Sequence, residues 1–116
     1  MIRVLITDDH PVIRRGLREI LSERDDMEVG GEASNAAEAL ALVQKGKWDV
    51  VLMDITMPGR SGLDALRDIK ELRPQLPVLL LSIHPEDQYA LRALKAGASG
   101  YLTKESAPEE LVNAIL

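Results

Sequence analysis

The stretch DVVLMDITMPGRSG, from Asp49 to Gly62, decides the fold of this chain. Its first part, Val50 to Met53, is an unbroken apolar run, which is typical of a strand buried on both faces of a parallel sheet. The run stops at Asp54, and the proline and glycines after it indicate a loop. Open α/β sheets bind ligands at the carboxyl ends of their central strands. Asp54 is therefore the first candidate functional residue.

The rest of the chain alternates short apolar strands with helical patterns. Strands are predicted at Ile2–Thr7, Met27–Ala33, Val50–Met53 with Asp54 at its end, Pro77–Ser82 and Ser99–Thr103. Helices are predicted from Pro11 with Asp9 or His10 as N-cap, to Gly46 with Ser34 or Asn35 as N-cap and Asn35 with Glu38 as a capping-box-like start, from Leu63 to Leu72, from Pro85 to Gly97, and from Ser106 with Glu109 onward. Five strands alternating with five helices predict a doubly wound α/β fold with a parallel sheet.

Length and composition indicate a single globular domain over residues 1–116. Cysteine is absent, so disulfides and thiolate chemistry are excluded, and without phenylalanine the core must be largely aliphatic. No apolar run approaches the ~18 residues of a membrane span, and no signal-peptide pattern opens the chain, so we expect a cytoplasmic protein. The formal net charge is −5 with the basic residues scattered, so this segment is not expected to bind nucleic acid directly.

Polar residues follow four of the five predicted strands where each strand ends. They are Asp8 with Asp9, Asp54, Ser82 and Lys104. Because the carboxyl ends of parallel strands share one edge of a sheet, these side chains are expected to converge. Ordinary roles remain open for most of them. Asp8 and Asp9 could cap a helix, Ser82 could form a hydrogen bond within a turn, and Lys104 could pair with Glu105 in solvent.

Three carboxylates on one edge repel each other unless a cation or Lys104 neutralises them. Oxygen ligands without histidine or cysteine nearby favour Mg²⁺, Mn²⁺ or Ca²⁺ over zinc. Mg²⁺ commonly combines one or two protein carboxylates with phosphoryl oxygens, and a lysine and a hydroxyl can donate to the same oxygens. Such a site supports phosphoryl transfer to a carboxylate, and Asp54, at the end of the central strand, is the best-placed nucleophile.

With MDITMPGRSG and GASGYLTK around them, these residues resemble the receiver domain of two-component response regulators. The carboxyl-terminal part, LSIHPEDQYALRALKAGASGYLTKESAPEEL, is similar to the NarL/FixJ type, whose receivers precede a LuxR-type helix-turn-helix. The resemblance implies a flavodoxin-like sheet with strand order 2-1-3-4-5. It also implies phosphorylation by a sensor histidine kinase, a homodimer on phosphorylation, and control of transcription through a DNA-binding domain outside this chain.

The resemblance assigns roles around the predicted cation. Asp54 would be the phosphoacceptor, and Asp9, Asp54 and the backbone carbonyl of Thr56 would bind Mg²⁺, with Mn²⁺ as a possible substitute. Asp8 would act through a water molecule. The domain would catalyse only its own phosphorylation and dephosphorylation and would not otherwise be an enzyme.

The same resemblance assigns a switch. Lys104 would bind the phosphoryl group, Ser82 would follow it on activation, and Tyr101 would change rotamer when Ser82 moves. The readout surface would be the fourth helix, fifth strand and fifth helix, or the first and fifth helices. Thr56 and His84, each two residues beyond a strand-end site residue, would tune how fast water removes the phosphate, although His84 could equally be an exposed loop residue.

The chain departs from the family pattern at two places. Glu105 follows Lys104 where many receivers have a proline in a cis peptide, and a cis bond before a residue other than proline costs ~3 kcal/mol. The isomer of that peptide is therefore left open. The last predicted helix stops at Leu116, so it is expected to be cut short in this chain.

Three other classes of protein share parts of the pattern. A phosphatase of the haloacid-dehalogenase type also uses a strand-end aspartate, but Thr56 stands where that class has its second acid. A nucleotide- or flavin-binding module would need a phosphate-binding loop, and Gly30-Gly31 alone is no such motif. A pseudo-receiver that acts only by contact would lack part of the site, whereas here the acidic set and Lys104 are complete.

Overall fold

The computed structural model describes residues 2–54, 62–82, 97–98, 100–103 and 115, with the backbone alone at residues 62, 63, 82, 101 and 103. The strands are β1 (Ile2–Thr7), β2 (Met27–Ala33), β3 (Val50–Asp54), β4 (Val78–Ser82) and β5 (Gly100–Thr103). The helices are α1 (Pro11–Ser22), α2 (Ala36–Lys45) and α3 (Gly62–Leu72). The helices predicted from Pro85 and from Ser106 lie outside the described residues, except that Ile115 is helical.

The five strands form one sheet in the order β2-β1-β3-β4-β5, and every neighbouring pair is parallel. This confirms the predicted sheet and its strand order. All five residues of β3 are buried, as the unbroken apolar run predicts. Because β3 has a neighbour on each side and helices cover the sheet, its carboxyl end lies at the middle of one edge.

Alternate residues of β1, β3 and β4 enter two separate cores, one on each face of the sheet. Leu5, Val51 and Leu80 pack with α2 and α3 on one face, with Val43, Leu66 and Ile69 among the helix residues there. Val4, Ile6, Leu52 and Leu81 pack with α1 on the other face, against Leu17 and Leu21. The period-two alternation of the strands is therefore matched by a helical layer on both sides.

Helix α1 begins at Pro11 with His10 as its N-cap residue, one of the two predicted N-caps. The N-cap of α2 is Asn35, whose side-chain oxygen accepts the backbone N–H of Glu38 at 2.9 Å. The Glu38 carboxylate in turn accepts the backbone N–H of Ser34 at 3.1 Å rather than that of Asn35. The predicted capping box is thus present with its return bond one residue earlier.

Trp48, the one tryptophan of the chain, lies at the amino end of β3, opposite the edge that carries Asp54. Its indole N–H donates to the carbonyl of Leu42 at 2.8 Å, and the Arg3 guanidinium lies 4.9 Å from its ring centroid. The β1–β2 register shifts by one residue at Gly30, where an added side chain would strike both Arg3 and Trp48. The bulge therefore needs a glycine at this contact.

Within the described part of the chain, every helix is too short or too polar to cross a membrane.

Candidate functional site

The register of the sheet places Asp8 beside Asp54. Thr7 pairs with Met53 across β1 and β3, so the next residues, Asp8 and Asp54, lie at the same level. The backbone N–H of Asp8 also donates to the carbonyl of Ala33 at 3.0 Å, which fixes it to the end of β2. Two carboxylates on adjacent strands are therefore positioned by backbone pairing alone.

The carboxylates converge as the strand ends predict. One oxygen from each of Asp8, Asp9 and Asp54 lies, with a ring nitrogen of His10, in a cluster whose atoms are all within 4.8 Å of one another. Asp8 is fully buried, Asp54 is 2% exposed, and the Asp9 side chain is 26% exposed. Among the described residues the cluster thus has two buried members, Asp8 and Asp54, and an exposed side formed by Asp9 and His10; we call it the cup.

His10 is the member of this cluster that sequence reasoning missed. Its backbone N–H donates to Asp8 Oδ1 at 2.8 Å, and its Nδ1 lies 2.9 Å from the same oxygen and 3.0 Å from Asp9 Oδ1. The premise that no histidine lies near the carboxylates is therefore wrong. The cause is local: an aspartate that accepts the N–H two residues later bends the chain back on itself. The spacing Asp-x-His immediately before a helix-starting proline is the signal that could have predicted it.

Arg14, one turn into α1, links the loop of Asp8 and Asp9 to the second strand. Its Nε donates to Glu32 Oε1 at 3.2 Å and its Nη1 to the main-chain carbonyl of Asp8 at 2.5 Å. Arg18 donates to the other oxygen of Glu32, also at 2.5 Å. An ion-paired network thus joins the first helix, the second strand and the loop that carries the acidic pair. The scattered positions of the arginines in the sequence do not predict this ion-paired network.

The remaining predicted site residues are described in part or not at all. Ser82 is the last residue of β4 and pairs with Thr103, the residue before Lys104. Leu81 pairs with Asp54, so the backbone of Ser82 lies one position beyond Asp54 on the neighbouring strand. Tyr101 lies in β5 and pairs with Leu80 of β4. The side chains of Thr56, His84 and Lys104 lie outside the described residues.

The donor set fits a divalent cation. Carboxylates held this close together repel, and a bound cation relieves the repulsion by supplying positive charge. Carboxylate oxygens are the ligands that Mg²⁺, Mn²⁺ and Ca²⁺ prefer, and the open side of the cup leaves room for water or a phosphoryl oxygen. The cluster of Asp8, Asp9 and Asp54 could therefore hold a metal ion at the central edge of the sheet.

The family model described as the response regulator receiver domain matches residues 4–116. The chain belongs to this family. The receiver is 42% identical over 115 residues to the response regulator UvrY of Escherichia coli strain K12, covering 99% of this chain and 53% of UvrY. It spans about half the length of the curated relatives it matches.

Solved structures agree with this assignment. A two-component response regulator of the LuxR family from Aurantimonas sp. SI85-9A1 is 42% identical with a TM-score of 0.93, covering 97% of the receiver and 81% of that chain. The signal receiver domain of the putative response regulator NarL from Mycobacterium tuberculosis is 38% identical with a TM-score of 0.91, covering 98% and 92%. The predicted NarL/FixJ-type resemblance is confirmed by these similarities.

Proposed function

We propose that this receiver is a phosphorylation switch in which Asp54 accepts the phosphoryl group. The observation that supports it most is the placement of a nearly buried carboxylate at the end of the central strand, within a cup of two further carboxylates. A carboxylate oxygen of Asp54 attacks the phosphorus of a phosphohistidine on a sensor histidine kinase. The new O–P bond forms as the P–N bond breaks, and the imidazole of the kinase leaves with the electron pair.

The residues that would hold Mg²⁺, or Mn²⁺ in its place, are Asp9, Asp54 and the carbonyl of Thr56, with Asp8 acting through water. The carboxylates of Asp8, Asp9 and Asp54 all belong to the cluster. The role of the Thr56 carbonyl is taken from the family resemblance. When bound, the ion neutralises negative charge that develops on the phosphoryl oxygens. The protein's own contribution is to orient Asp54 and to shield it from bulk water.

The switch is assigned to Lys104, Ser82 and Tyr101. Sheet register supports this, because β4 ends at Ser82 and β5 runs beside it up to the residue before Lys104. The phosphoryl group on Asp54 adds charge that the lysine ammonium and serine hydroxyl can bind, which biases a two-state equilibrium of the domain. The receiver would then form a homodimer and control transcription through a DNA-binding domain in the rest of the protein. A cytoplasmic location remains part of this proposal.

The test is incubation with Mg²⁺ and acetyl phosphate, followed by intact mass measurement. One added phosphoryl group is expected, and it should be lost with Mg²⁺ removal and in Asp54→Asn. Asp49→Asn is the matched control, because Asp49 lies at the opposite end of the same strand and accepts the N–H of Arg3 at 2.7 Å. An unmodified wild type, or equal modification of both variants, contradicts the proposal. Continuous release of phosphate from small phosphoesters would instead indicate a hydrolase.

Thr56 and His84 are proposed to set the lifetime of the phosphorylated state. Both follow strand-end site residues by two positions, and this spacing in the sequence supports the proposed role. His84→Ala should change the rate at which phospho-Asp54 decays without changing Mg²⁺ affinity. The decay is followed by mass measurement after removal of the donor, and an unchanged half-life excludes His84 from this role.

A further inference from the structure

We infer that His10 is a nitrogen ligand of the same centre, which lets this receiver bind first-row transition cations more tightly than Mg²⁺. The inference rests on the cation site of the proposed function and concerns which ions that site takes. It starts from the ring nitrogen that the structure places among the carboxylate oxygens.

The spacing of the donors is that of ligands around one ion. At metal–ligand distances of ~2.1 Å, neighbouring ligands of an octahedral ion are about 2.9 Å apart and opposite ones about 4.2 Å. His10 Nδ1 lies within hydrogen-bond distance of Asp8 Oδ1, at 2.9 Å, and of Asp9 Oδ1, at 3.0 Å, and all four donors fall within 4.8 Å. A cation that replaces the hydrogen-bonded proton would find the imidazole at an adjacent-ligand separation from Asp9, with Asp8 next to both.

The four donors differ in burial, and this difference favours binding of an ion. Asp8 and Asp54 are buried, so their oxygens form a fixed base. The His10 side chain is 59% exposed, whereas its backbone is fixed by the bond to Asp8 and by Pro11 after it. Only rotation of the ring is needed to bring Nδ1 onto an ion resting on the carboxylates, so closing the site requires little reorganisation.

The ligand type decides the selectivity. Imidazole suits Zn²⁺, Cu²⁺, Fe²⁺ and Ni²⁺, whereas Mg²⁺ prefers oxygen ligands and keeps much of its water. Affinity for a mixed nitrogen and oxygen site rises from Mn²⁺ through Co²⁺ to Ni²⁺ and Cu²⁺. The His10 nitrogen should therefore add affinity for these ions and none for Mg²⁺.

Titration calorimetry with Ni²⁺ and, separately, with Mg²⁺ tests the inference on protein free of any affinity tag. His10→Asn is the informative variant, because its amide can place an oxygen near the position of Nδ1. Ni²⁺ affinity should fall at least about tenfold, a loss known even for removal of a partner outside the first ligand shell. Mg²⁺ affinity should be no weaker. Unchanged Ni²⁺ affinity in this variant overturns the inference.

His84→Asn is the matched control, because His84 is the second of the two histidines in the chain. It should keep the Ni²⁺ affinity of the wild type, and a loss there alone would assign the nitrogen to His84 and overturn the role of His10. Co²⁺ gives a second readout: hyperfine-shifted imidazole resonances in the proton spectrum should be present in the wild type and absent from His10→Asn.

The outcomes separate this inference from the proposed function. Loss of Ni²⁺ binding in His10→Asn, with no phosphorylation of the wild type, would support the ligand role while contradicting the switch. Phosphorylation at Asp54, together with a Ni²⁺ affinity that His10→Asn leaves unchanged, would support the switch and contradict the ligand role of His10. Absence of binding for both ions would overturn the cation site itself and the inference with it.

Discussion

The guanidinium of Arg14 joins the main-chain carbonyl of Asp8 to the side chain of Glu32, so the loop that carries the acidic pair is fixed from the first helix and the second strand together. The bond to Asp8 is 2.5 Å long and charge-assisted, and Arg14 is only 20% exposed. We expect Arg14 to be a positioning residue for the proposed cation site, because it contacts the backbone of Asp8 and no carboxylate of the cluster.

Replacement of Arg14 by methionine should weaken Mg²⁺ binding by about tenfold, the lower end of losses seen when outer partners of metal ligands are removed. The apolar stem is kept while the bond to the carbonyl is lost. Arg18→Met is the control, because it removes an equal charge and a bond to the same glutamate without contacting Asp8. Calorimetric Mg²⁺ affinities measure the effect, and equal affinities in the two variants would show that the bond to Asp8 does not position the site.

Gly16→Ala should stabilise the domain by about 1 kcal/mol. Gly16 lies inside α1, where glycine costs backbone entropy relative to alanine, and an added methyl group would meet no atom within 4 Å. Urea unfolding followed by tryptophan fluorescence measures the change. A variant no more stable than the wild type would mean that the helix is limited elsewhere, for example at its N-cap.

Gly30→Ala should have the opposite effect and destabilise the domain by about 1–3 kcal/mol, the usual cost of overpacking. Its new methyl group would contact Arg3 Nε, lie 2.7 Å from Arg3 Cγ and 2.9 Å from the Trp48 ring. The same unfolding measurement applies, with Gly16→Ala as the matched glycine substitution. Equal stability of this variant and the wild type would show that the ring and the arginine move aside without cost.

Acidification should remove a contribution of Glu38 to folding. Hydrogen bonds from the Ser34 backbone and hydroxyl, and from the Asn35 amide, hold the pKa of the Glu38 carboxyl below its ordinary value of 4.5. Because the folded-state pKa is the lower one, the stabilisation is fully present above pH 4.5 and is lost as the pH falls through the folded-state value.

Glu38→Gln should therefore be less stable than the wild type at neutral pH, with the difference vanishing in acid. Glu71→Gln, at an exposed position of α3, is the control. Thermal unfolding across this pH range provides the measurement. A difference that stays constant from neutral to acid would show that Glu38 does not titrate with folding.

Strand positions and strand order could be predicted because each strand is an apolar run that stops abruptly. β1 and β2 have the predicted bounds, β4 begins one residue later than predicted, and the described part of β5, Gly100–Thr103, lies within the predicted range. Asp54 and Asp8 could be placed together because parallel register is a backbone property that depends on no side-chain detail. The cap at Asn35 and the start of α1 at Pro11 could be predicted as well, because their signals are local in sequence.

The parts that could not be predicted depend on side-chain conformations. His10 reaches the carboxylates only because the chain bends after Asp8, and Arg14 reaches Glu32 across eighteen residues of sequence. Neither contact follows from periodicity or composition. The expected absence of nitrogen ligands is wrong for the same reason: the sequence indicates His10 as an N-cap but does not indicate the direction of its side chain.

The placement of Trp48 gives the domain a fluorescent reporter of unfolding that lies far from the cation site. β3 has five residues, so at ~3.3 Å per residue its first residue, Val50, lies roughly 13 Å along the strand from Asp54, and Trp48 precedes Val50. Its emission should therefore follow loss of the fold and ignore an ion that merely arrives at the opposite edge. Quenching by Mg²⁺ at constant stability would then signify that the far end of the sheet had rearranged, which makes one chromophore a detector of long-range coupling as well as a gauge of folding.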